Sequence, residues 1–116
     1  MIFSNLSLPL MCAPMSFASS VPLAVACCGA GVIGGWQGGV VTSLAMFEEY
    51  LEALVRVGGA PPIVNMPARW GIDPRAADRI DLLERYRVPL VLSSLGDPSV
   101  LVRRVHGWGG RVVHDV

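Results

Sequence analysis

Apolar residues occur first in short uncharged runs and later in helical stripes, and the change falls at Ser43. Before it, Leu8-Pro9-Leu10-Met11-Cys12 and Gly31-Val32-Ile33-Gly34-Gly35 read as short buried strands. A small-residue helix over Val21 to Ala30 lies between them, entered by a sharp turn at Ala13-Pro14-Met15. Pro9, Pro14 and Pro22 exclude one continuous helix, because each lacks an amide donor and crowds the preceding turn. The glycines of Gly29-Ala30-Gly31-Val32-Ile33-Gly34 close a helix and enter a strand. A dinucleotide fingerprint needs the reverse order, so these glycines are read as close packing of the helix on the sheet.

From Ser43 the period becomes helical. Leu44, Phe47, Leu51, Leu54 and Val55 share a face opposite Glu48, Glu49 and Glu52, with Ser43 as N-cap and Gly58-Gly59 as the stop. Pro62 to Pro67 is a short strand bounded by prolines. Asp73-Pro74 and Asp97-Pro98 are helix starts. The first opens a helix faced by Ala76, Ala77, Ile80 and Leu83, the second one faced by Leu101, Val105 and Trp108. Val88 to Ser93 and Arg111 to Val116 complete the strands.

Strand, helix, strand at near-constant intervals means βαβ units and a parallel sheet within one domain, residues 1–116. The strand runs lack alternation, as expected where helices cover both faces. Two α/β architectures use such units: a doubly wound sheet of five strands, or the first half of a TIM barrel, which in full takes about 250 residues.

Composition narrows the function. Hydrophobic residues make up 53% of the chain and charged residues 16%, so a packed interior is expected rather than disorder. Nine arginines balance nine carboxylates, which gives no electrostatic case for nucleic acid or a membrane surface. Cys12, Cys27 and Cys28 fit neither a disulfide framework nor a metal spacing and are read as buried packing thiols. No Lys or Arg precedes the first apolar run, and prolines and glycines cut it well short of a membrane span. A reducing, cytoplasmic location is expected.

In either architecture ligands gather at the carboxyl ends of the strands. Here those ends are Ala13-Pro14-Met15, Gly34-Gly35-Trp36, Asn65-Met66, Ser93-Ser94 and His114-Asp115. They offer backbone, small side chains and amide or hydroxyl groups, with no carboxylate cluster and no metal set. That chemistry suits a flat heteroaromatic cofactor. Asn65 is the leading candidate, since its amide both donates and accepts toward a ring edge; the competing reading is a turn-forming Asn before Pro67. His106 reads as a helix-surface or packing residue, and His114 as structural slightly ahead of pocket-facing.

Five ordered stretches resemble the nitronate monooxygenase (2-nitropropane dioxygenase-like) family: Cys12-Ala13-Pro14-Met15, Gly29 to Gly34, Val64-Asn65, Pro89 to Gly96, and Gly110 to Val116. The resemblance implies an FMN-dependent TIM barrel, with Ala13, Pro14 and Met15 against the flavin, Asn65 touching it, and His114 as a further flavin contact. It implies an oxidoreductase that denitrifies alkyl nitronates with O2. The Ala-Gly-Gly-His motif that carries the family's base does not occur in this sequence, nor do the later strands that hold the FMN phosphate. The chain therefore resembles a C-terminally truncated member, its first four βα units plus strand five. Weak FMN binding, no turnover by this chain, and self-association through an open barrel edge are expected. An FMN-dependent enoyl-acyl carrier protein reductase and a non-catalytic half-barrel that pairs with another chain are the alternatives.

Overall fold

The computed structural model describes residues 3–41 and 43–116, with the backbone alone at Arg75. Five parallel strands lie side by side in sequence order: β1 (Met11–Cys12), β2 (Ile33–Gln37), β3 (Pro62–Pro67), β4 (Leu90–Ser94) and β5 (Arg111–His114). Between them run α1 (Val21–Gly29), α2 (Leu44–Val55), α3 (Ala77–Arg85) and α4 (Ser99–Gly107). Right-handed crossovers that always step in the same direction put every helix on the same face. The result is half a TIM barrel. A doubly wound sheet is excluded, because it requires the strand order to reverse at a switch point.

One layer of helices means that the two sheet faces are buried in different ways. Trp36, Val64, Met66 and Val91 point to the helical side, into a core with Phe47, Leu51, Leu83, Leu101 and Val105. Ile33, Ile63 and Leu90 form a separate apolar cluster on the concave side, where Leu6 and Leu92 pack against them. The missing alternation therefore reflects a helical layer on one face and a self-filled barrel interior on the other. Leu6 is brought there because the Ser7 N–H donates to the Gly31 carbonyl at 2.8 Å. The first strand is shorter than its apolar run suggests. Leu8, Leu10 and Met11 are exposed, since β1 borders the sheet and only β2 pairs with it.

Helix ends follow side-chain chemistry. Ser20 caps α1, its hydroxyl accepting from Leu23 N, and Ser43 caps α2, accepting from Met46 N, each at 3.3 Å. Asp97 serves α4, its Oδ1 accepting from Ser99 N at 2.9 Å and from the Ser99 hydroxyl. Asp73-Pro74 behaves differently. Ala76 N–H bonds back to the Asp73 carbonyl in a 3-10 turn, Pro74–Ala76, and α3 begins only at Ala77. Adjacent helices are tied by exposed pairs that contribute little singly: Arg85 and Tyr86 to Glu48, and Arg104 to Asp81 and Glu84.

Gly34 sets the distance between α1 and β2. A Cβ there would lie 2.1 Å from the Ala24 carbonyl oxygen, a backbone atom that yields only if the helix lifts. Gly34→Ala is expected to cost about 3 kcal/mol or more in urea unfolding, at the upper end of overpacking effects. An unchanged unfolding midpoint would contradict the contact. Asp97 gives a pH-dependent check. The Ser99 hydroxyl and amide hold its carboxyl below the usual carboxylate range, with Arg103 and His114 adding to the effect. A lowered pKa stabilises the fold above the unfolded value and ceases to do so as the pH falls through the folded one. Asp97→Ala is therefore expected to lower Tm at neutral pH, and the gap to close once the carboxylate is protonated.

Candidate functional site

Parallel register and period-two alternation decide which residues meet at the carboxyl ends of the strands. Gln37 pairs with Asn65, Asn65 with Leu92, and Pro67 with Ser94. These residues continue the concave rows that begin at Ile33, Ile63 and Leu90. Asn65 is 5% exposed, and its Nδ2 donates to Ser94 Oγ at 3.5 Å. At the level where the apolar fill stops, the concave face thus carries two amides and a hydroxyl.

The Ala13-Pro14-Met15 turn stands on the same side because Gly35 lacks a side chain. A Cβ on Gly35 would meet Cys12 O at 2.2 Å and Pro14 Cδ at 2.7 Å, so the turn lies directly on β2. Ser19, 4% exposed, then fixes its shape: the Met15 N–H donates to Ser19 Oγ, which donates to the Ala13 carbonyl at 3.1 Å. The Met15 carbonyl accepts from Ala18 N and Ser19 N at 2.9 and 3.1 Å. With those groups engaged, the turn offers mainly apolar contact, above all the Met15 side chain, 60% exposed.

The structure brings Ala13, Pro14, Met15 and Asn65 to one face and separates His114 from them. His114 pairs with Ser93 in register, and its Nδ1 lies 3.1 Å from the fully buried Ser93 Oγ. Ser93 and His114 alternate with Leu92 and Val113, so they share the helical side with Val91 and Val112. For His114 to join the Asn65 face, the imidazole would have to leave Ser93. Cys12 and Cys27 meet across the β1–α1 contact, where burial first and the Cys12 thiol second push the Cys27 thiol up. Cys28 is raised by burial. None of the three cysteines is in a disulfide, and no metal-binding cluster occurs among the described residues.

Two residues of this site are absent from the sequence reading. Gln37 was hidden because β2 was expected to stop at Gly35, whereas it continues through Trp36, which is anchored against Phe47 and Tyr50 at ring distances of 5.2 and 5.8 Å. Ser19 reads as one more polar residue before a helix. Its neighbour Ser20 is the cap, and nothing local marks Ser19 as a clamp.

No family model and no curated protein matches the chain. Among solved structures it is similar to FabK from Thermotoga maritima, with a TM-score of 0.79 and 22% identity over 97% of this chain and 35% of that one. A single-substitution mutant of the same FabK gives a TM-score of 0.79 and 22% identity, with 36% of its chain covered. The likeness is one of fold, and the chain spans about a third of the protein it resembles.

Ser19→Ala leaves the Met15 N–H without its acceptor. A loss of about 1–3 kcal/mol is expected, with faster amide hydrogen exchange at Met15 and unchanged exchange in β3. Unaltered protection at Met15 would remove Ser19 as the clamp.

Proposed function

We propose that this chain supplies one wall of an FMN site in an oxidoreductase of the nitronate monooxygenase type. The observation that carries the reading is the carboxyl end of the concave face: the Asn65 amide, held by one long bond to Ser94, beside a turn seated on Gly35. None of Ala13, Pro14, Met15, Gln37, Asn65 and Ser94 is charged. A neutral planar ring fits this donor set, because Asn65 keeps an acceptor for a ring N–H while Pro14 and Met15 supply apolar contact. FMN, when bound, supplies the redox chemistry and the reaction with oxygen. The chain's residues hold the ring edge and keep water from one side of it. The substrate class this reading takes is an alkyl nitronate, with O2 as co-substrate.

The likeness to FabK, an FMN-dependent enoyl-acyl carrier protein reductase, favours a second reading with the same flavin wall, a nicotinamide donor and an enoyl thioester. A third, non-catalytic reading rests on β1 and β5, the two borders of the sheet, as edges through which a further chain would add. No helix among the described residues is long and apolar enough to cross a membrane, and a cytoplasmic location belongs to the same proposal.

Flavin fluorescence titration of the 116-residue chain tests the shared wall. Saturable but weak quenching is expected, reduced about tenfold by Asn65→Ala. No saturable quenching at millimolar FMN, or an unchanged Asn65→Ala titration, would refute it. With FMN present, oxygen uptake on an alkyl nitronate is expected to stay at the level of free FMN. Enoyl-thioester-dependent oxidation of a reduced nicotinamide above that level would select the second reading.

A further inference from the structure

Only Cys28 is the buried packing thiol that the sequence suggests; Cys12 and Cys27 are half-buried. Register explains where Cys12 goes. It pairs with Gly34, the position on β2 that faces α1, so Cys12 also points to the helical side of the sheet. The helix lies low there, since a Cβ on Gly34 would come within 2.1 Å of the Ala24 carbonyl oxygen. Ala24 and Cys28, on one face of α1, are fully buried, and the Cys28 thiol reaches the Gly34 backbone. Cys27, next on the helix, is turned toward β1, where its side chain and that of Cys12 are hydrogen-bonded to each other.

Contact, closeness and access thus coincide at this pair. The thiols touch, and the helix that carries Cys27 packs backbone to backbone on the strand beside β1. Such packing favours the short Cα separation, below about 7 Å, that a disulfide needs. A reagent can reach the pair as well, because both residues are partly exposed and β1 borders the sheet, with only β2 beside it. Cys28 does not compete. It is 0% exposed, and a bond between the adjacent Cys27 and Cys28 would force their shared peptide out of the helical geometry it has in α1.

We infer that Cys12 and Cys27 are a reversible dithiol–disulfide site, oxidised by a low-molecular-weight disulfide and restored by the matching thiol. Cys12 loses its proton to solvent, and its sulfur attacks one sulfur of the reagent, whose S–S bond breaks and releases one thiol. The Cys27 sulfur then attacks the Cys12 sulfur of the mixed disulfide and displaces the second thiol, which takes up the Cys27 proton. The chain gives up two electrons and two protons, and the reagent is reduced by both. Burial and the Cys12 contact push the Cys27 thiol up, which suits it to this second, intramolecular step. The new bond closes a ring from residue 12 to residue 27 that holds the Ala13-Pro14-Met15 turn and its Ser19 clamp. Oxidation therefore fastens the turn to α1. The site needs no flavin, so it stands or falls separately from the proposed cofactor wall.

The test is peptide mapping by mass spectrometry after the folded 116-residue chain has been equilibrated with oxidised glutathione, unfolded and alkylated. The expected product has Cys12 joined to Cys27 and Cys28 alkylated, and an excess of reduced glutathione returns all three cysteines to the alkylated form. The same oxidation in urea is expected to scatter the products among every pairing and mixed disulfide. Closure of the ring should raise Tm by about 5 °C or more, a shift absent in Cys27→Ser and kept in Cys28→Ala. Glutathione adducts without an internal bond, a bond that involves Cys28, the same products folded and in urea, or a Tm that does not rise would each overturn the inference. If a variant does not fold, the two maps of the unaltered chain decide alone.

Discussion

Everything in this structure depends on a sheet whose strands follow one another in order, all parallel, with the helices on a single side. Each strand must then satisfy two unlike neighbours. Its outward residues meet helices, and Trp36, Val64, Met66 and Val91 disappear into a core shared with α2, α3 and α4. Its inward residues meet only other strands, so Ile33, Ile63 and Leu90 fill the interior themselves, assisted by Leu6 from the segment before β1. That filling runs out toward the carboxyl ends. There the inward positions pass to Gln37, Asn65 and Ser94. The candidate site is thus the level at which the barrel interior stops being apolar, and its position follows from register rather than from any separate structural device.

Consecutive glycines on β2 serve the two faces in turn. Gly34 points to the helical side and admits the backbone of Ala24, seating α1 against the strand. Gly35 points inward and admits Cys12 O and the Pro14 ring, seating the turn. One dipeptide therefore fixes both ends of the first crossover against the same strand. Ser19 completes the arrangement by binding the turn on both sides of Pro14, immediately before the Ser20 cap starts α1. Backbone contacts of this kind are stiff, because no side chain is available to rotate away. The turn's shape is set before any ligand arrives, and a preformed wall loses less entropy when a ring settles on it.

What the sequence discloses here, and what it conceals, divides along physical lines. Local chemistry was legible: Ser43 and Asp97 sit at their expected helix starts, and β3 runs from Pro62 to Pro67 as its bounding prolines suggest. The parallel half-barrel was legible as an alternation of units, but not as a choice over the doubly wound sheet, since strand order is a long-range property that short apolar runs do not encode. Asp73-Pro74 misleads because a 3-10 turn competes with the helix for the same carbonyl. The faces of the strands were hardest. When both sides are apolar, period two leaves no trace, and nothing in Val112-Val113-His114 says which residue looks inward. The register with Ser93 decides it, and places His114 on the helical side.

Gln37 and Asn65 bring these threads together. They are register partners, side by side at the same level of the interior, and both carry amides. Asn65 has a bond to Ser94, whereas the Gln37 oxygen has none. Packing alone would favour an apolar residue at position 37, because a leucine fills such a position without a buried acceptor to satisfy. A chain that is 53% hydrophobic has no shortage of residues for that purpose. The cost of the glutamine is local, while the rest of β2 is secured by Trp36 outward and Gly35 inward. The unpaired Gln37 oxygen therefore lies at the same polar level of the interior as Asn65, on the face where the proposed ring edge would rest.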